Sequence, residues 1–116
     1  MDIDNHTLKL QSQKLKDNMI KVNITPNKIE LLGHSLYDDF GKDIVCAGVS
    51  SIVITTINAI LTFNKEYISY ISEKDKFVIN INIHNEVVDN LITNMIDMLE
   101  NIEEDYPKNI KIRKEN

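Results

Sequence analysis

The stretch "DIVCAGVSSIVITTINAILTF", Asp43–Phe63, decides the fold. Val45, Val49, Ile52, Thr56 and Ile60 recur in it at three- and four-residue steps, the period of an α-helix that lays one stripe on a core. Asp43 suits the N-cap, because a carboxylate there accepts a hydrogen bond from an unpaired backbone N–H two or three residues on. On a helical wheel Cys46 falls about 70° from a stripe centred near Val49 and Thr56, on a flank that it shares with Ser50.

Outward from this helix the pattern changes to a period of two. Upstream, "MIKVNIT" alternates from Met19, "PNK" makes a turn and "IELLGH" begins a second extended run, which predicts a hairpin. Downstream, "EYISYIS" and "KFVININ" alternate around the turn "EKD" and predict another. A second helix follows in "NEVVDNLITNMIDMLENI", with Val88, Leu91, Ile92, Met95, Leu99 and Ile102 inward, Asn85 as its N-cap and Pro107 beyond its end. "NIKIRKE" has room for a short edge strand. The order is ββαββα with a C-terminal strand to follow. The expected class is α/β of the α+β kind, with two helices on one face of a mixed, largely antiparallel sheet. Residues 1–18 lack a clean period and read as an N-terminal extension outside the core, leaving 19–116 as a single domain.

With 116 residues the chain is long enough for one core without disulfide or metal staples. A single Cys excludes an internal bridge, and no stretch near the start resembles a secretion signal, so a reducing cytoplasm is the expected location. The apolar run is broken by Asp43, Ser50, Ser51, Thr55, Thr56 and Asn58, which predicts a soluble chain with no membrane partner. A net charge of -5 argues against a nucleic-acid backbone as the main ligand and suits a basic protein or peptide. One Cys and three dispersed histidines, His6, His34 and His84, give no paired spacing for zinc, and neither metal nor cofactor is expected.

The chemistry gathers in "GHSLYDDFGKDIVC", Gly33–Cys46. A helix N-terminus offers partial positive charge and unpaired N–H groups, which favour a thiolate and can hold an oxyanion. Cys46 lies in that first turn, with Asp43 and Ser50 as support for the site. His34 ends the second strand, and the loop between is long enough to bring its ring back to the sulfur. His84, at another strand end, competes as the thiol's partner. The loop residues Ser35, Leu36, Tyr37, Asp38, Asp39, Phe40, Gly41 and Lys42 mix apolar side chains, acids and a glycine, a composition suited to an adaptable cover over a peptide. Spacing alone favours the plain alternative, a small core cysteine and a surface or hydrogen-bonded histidine, over the catalytic pair.

"GHS" followed by "GKDIVCAGVS" closely resembles the ribosomal-processing cysteine protease (Prp) family, with its Gly-His-Ala start and Gly-x-Asp-Ile-Val-Cys-Ala-Ala-Val-Ser. The resemblance runs from Met19 to the C-terminus. It implies Cys46 as nucleophile and His34 as general base in a dyad with no obligatory third acid. It also implies a homodimer that removes a short N-terminal extension from a bacterial large-subunit ribosomal protein. Ser35 and Gly48 stand where the family has Ala. The competing readings are a non-catalytic ribosome-associated binding or assembly module and a small thiol-redox protein, the latter weakened by the lack of a second Cys.

Overall fold

The computed structural model describes residues 19–33 and 44–116. In chain order these form β1 (Ile20–Thr25), β2 (Lys28–Leu32), α1 (Ile44–Phe63), β3 (Ile68–Glu73), β4 (Lys76–Ile81), α2 (Glu86–Asp105) and β5 (Ile110–Lys114). The strands make one sheet in the order β3-β4-β2-β1-β5. Only β1 and β5 pair in parallel, so the sheet is mixed and largely antiparallel. Both helices pack on the same face, α1 toward β3 and α2 toward β5. The expected class and order hold.

Alternation along the strands builds the core. Val22, Ile24, Ile29, Leu31, Phe77 and Ile79 point at the helices and are at most 9% exposed. Pro26 and Asn27 close the first hairpin between Thr25 and Lys28, where the Thr25 hydroxyl donates to the Lys28 carbonyl at 3.1 Å. Asn85 caps α2 as its side chain predicts, Oδ1 accepting from the Val88 N–H at 2.9 Å. Val88, Ile92, Met95 and Leu99 are the buried stripe of α2, with Leu91 and Ile102 half-buried beside it.

The buried face of α1 is broader than its sequence predicts. It comprises Val45, Cys46, Val49, Ser50, Val53, Thr56, Ile57 and Ile60, while Ile52 is only half-buried. At 3.6 residues per turn this face spans about 140° and centres near Val53, which puts Cys46 about 30° from the middle rather than on a flank. The cause is that α1 carries no charge and packs against both the sheet and α2. By length and composition alone this helix is apolar enough to cross a membrane, contrary to the reading of its polar interruptions. In the fold it is the central packing helix.

The two edges of the sheet differ. At β5 the Glu103 carboxylate accepts the outward Ile112 N–H at 2.7 Å, and Lys114 Nζ donates to Glu100 at 2.8 Å. That hydrogen bond raises the Lys114 ammonium above its ordinary range. β3, the other edge, has no such cover among the described residues and exposes Tyr70 and Ile71.

Candidate active site

Strand directions fix which side chains share an end of the molecule. β1 begins, and β2 ends, at one end of the sheet, where Lys21 faces Leu32. β4 and β5 also begin there, because Lys76 pairs with Leu32 and Ile110 with Ile20. Helix α1 closes at the opposite end, since Ile68, just after it, pairs with Ile81. Its first turn therefore returns to the end where β2 finishes. A Cβ built on Gly48 would lie 3.4 Å from Ile102 Cδ1, so the start of α1 also touches the last turns of α2.

Cys46 is the third residue of α1 and is 7% exposed. Four residues on, Ser50 is 1% exposed, and among the described residues its Oγ has no hydrogen-bond partner. A buried hydroxyl without a partner costs about 1–3 kcal/mol, a cost that a purely structural position would avoid with alanine. Ser50 thus shares one helix face with the thiol and keeps an unused donor and acceptor.

Gly33 sets the exit from β2. Its N–H donates to the Asp75 carbonyl in the β3–β4 turn at 3.0 Å, and its φ of 87° lies in the region that favours glycine. The backbone just before His34 is therefore held from two sides. Sequence reasoning missed Asp75, because nothing local links a turn carbonyl to a residue forty-two positions upstream. His34, Ser35–Lys42 and Asp43 lie outside the described residues, as do residues 1–18 with His6.

His84 does not compete for the thiol. It sits after β4 at the far end of the sheet, where Nδ1 bonds Asp89 Oδ1 at 2.8 Å and Nε2 bonds Asn27 Oδ1 at 2.7 Å. Twenty residues of α1, about 30 Å of helix, separate the two ends. Among the described residues no group of three or more His, Cys, Asp or Glu could hold a metal ion.

The two-layer fold thus places Cys46 in the opening turn of α1, at the sheet end where β2 finishes and the chain leaves through Gly33. Residues 19–111 match the family described as Cysteine protease Prp. The "Ribosomal processing cysteine protease Prp" of Staphylococcus aureus strain Mu50 is 33% identical over 103 residues, covering 81% of this chain and 97% of that one. Two crystal structures of the S. aureus protease superpose with TM-scores of 0.73 and 0.69 at 28% and 26% identity. Each match covers 84% of this chain and all of the other. The first holds a covalently linked product peptide and the second a substrate peptide. The chain belongs to the Prp family and is a cysteine protease.

Proposed function

We propose that this protease removes the short N-terminal extension of a bacterial large-subunit ribosomal protein, with Cys46 as nucleophile and His34 as general base. The observation that carries the reading is the position of Cys46 in the first turn of α1, at the sheet end where β2 finishes at Gly33, the residue that precedes His34 in the sequence. The S. aureus relative's capture of a product peptide in covalent linkage supports a covalent route. His34 takes the Cys46 proton, the sulfur attacks the scissile carbonyl, and N–H groups at the start of α1 hold the oxyanion. His34 then protonates the leaving amine, and water hydrolyses the thioester. In this reading Asp43 supports the site as the N-cap residue of the helix. Ser50 and the segment Ser35–Lys42 complete the site, Ser50 through its hydroxyl and the segment as a cover over the peptide. The enzyme acts in the cytoplasm as a homodimer and needs no cofactor.

A synthetic peptide spanning the extension and the first residues of the mature ribosomal protein tests this by mass spectrometry. Cleavage at one bond, lost by at least a thousandfold in Cys46→Ala and His34→Ala proteins that melt normally, is the expected result. Intact peptide with wild-type protein, together with retained peptide binding, would favour the non-catalytic binding module instead.

A further inference from the structure

Strand β3 ends the sheet on the side away from β5, and no described strand pairs with its outer edge. One hydrogen bond fixes which of its backbone groups look outward. The Tyr67 carbonyl accepts from the Asn82 N–H at 2.9 Å, so Tyr67 and every second residue after it, Ser69, Ile71 and Glu73, turn their N–H and C=O toward β4. Ile68, Tyr70 and Ser72 therefore present theirs to the outside, an edge of the kind that takes on another strand. Tyr70 is 45% exposed and Ile71 53%.

The charges beside the strand select its occupant. Lys65 and Glu66 precede β3, and Lys74 and Asp75 follow it. When β3 is laid antiparallel on a second copy of itself about Tyr70, Ile68 faces Ser72 and Tyr70 faces Tyr70, so the outward groups of all three residues pair. The same register sets Lys65 opposite Asp75 and Glu66 opposite Lys74, each pair occurring twice by symmetry. A slip of one residue sets Lys65 against Lys74 and Glu66 against Glu73, or Lys65 against Lys76 and Glu66 against Asp75. Both slips oppose like charges and leave the outward groups out of step. A slip of two keeps one kind of opposite pair instead of two, Lys65 with Glu73 or Glu66 with Lys76, and Lys76 is already held by Glu30 at 3.6 Å. The edge is complementary to itself in one register, which favours a second copy over an unrelated strand.

The helical layer suits the same contact. A two-fold axis perpendicular to the sheet puts the helices of both copies on one side, with the β3 flank of each α1 turned toward the other. Gly48 marks the flank of α1 that meets Ile102 of α2. Ile54 and Leu61 lie about 120–140° round the helical wheel from it, and Leu61 lines a groove of about 420 Å³ with Ile68 and Tyr70. Helix α1 bears no charge, even at its exposed Ser51, Thr55, Asn58 and Thr62, so another helix can approach it without stranding an ion.

The geometry points to β3 as a self-association edge, through which two copies join antiparallel about Tyr70 into one continuous sheet. The inference rests on the reading of the enzyme as a homodimer and names the surface that makes it.

Sedimentation equilibrium of the full chain, with amide hydrogen exchange on the same protein, tests the proposal. Wild type should be a dimer in which the Tyr70 and Ser72 amides are protected and lose that protection on dilution. Ser72→Pro removes an outward N–H that the sheet itself does not use, so the fold is spared and the dimer dissociation constant should rise at least tenfold. Lys65→Glu sets an acid against Asp75 and should weaken the dimer about two- to tenfold. Adding Asp75→Lys to it should restore the affinity to within about twofold of wild type. A dimer of wild-type affinity in Ser72→Pro overturns the surface, and a double variant no tighter than Lys65→Glu alone overturns the register. A wild-type monomer overturns both the surface and the homodimer reading beneath it, and protected Tyr70 and Ser72 amides in that monomer would give the edge to another segment of the same chain.

Discussion

At the scale of single residues, Ser50 and Gly33 carry the clearest expectations. Ser50→Ala removes a buried hydroxyl that has no described partner, so the variant should melt no lower than wild type and up to about 1 kcal/mol higher in stability. If the hydroxyl serves the thiol's surroundings, the same variant should cleave peptide at least tenfold more slowly. A stable variant of full activity would remove Ser50 from the site. Gly33→Ala forces a side chain onto a φ of 87°, which costs about 1–2 kcal/mol. Its larger effect should be on kcat, because the strain falls on the residue before His34. Thermal melts and cleavage rates on the same preparations separate the two effects.

At the scale of elements, the packing of α1 on α2 makes Gly48 the informative position. Glycine inside a helix costs about 1 kcal/mol against alanine, and the added Cβ would meet Ile102 Cδ1 at 3.4 Å, an ordinary contact with a movable side-chain tip. Gly48→Ala should therefore raise stability by about 0.5–1 kcal/mol, seen as a higher urea midpoint with unchanged slope. Both hairpins, both helices and the Asn85 cap were legible in the sequence, since each rests on local alternation, turn chemistry or a side chain acting on its own helix. The inward face of α1 was legible only in part. A helix apolar all round has no polar side to orient it, so Val53 and Ile57 were overlooked and Cys46 was set too far from the centre. The Gly33–Asp75 hydrogen bond was illegible for a different reason: it joins two turns that only the sheet order brings together.

At the scale of the molecule, His84 and the first turn of α1 lie at opposite ends of the sheet. His84 ties the β1–β2 turn to the first turn of α2 through Asn27 and Asp89, at the end away from Cys46. His84→Ala should therefore cost about 1–2 kcal/mol of stability yet leave peptide cleavage near wild type well below the melting temperature. A loss of activity as large as that of His34→Ala would mean that the two ends communicate.

The parallel pairing of β5 with β1 sets the first and last strands side by side, with the Ile20 N–H donating to the Asn109 carbonyl at 2.9 Å. During synthesis Ile20 leaves the ribosome long before Ile110 does. Both hairpins and the apolar α1 must then wait, with one border of their sheet unfilled, for the final strand to emerge. A chain truncated before Ile110 should therefore leave the β1 edge unpaired and aggregate more readily than the full chain, as light scattering would show.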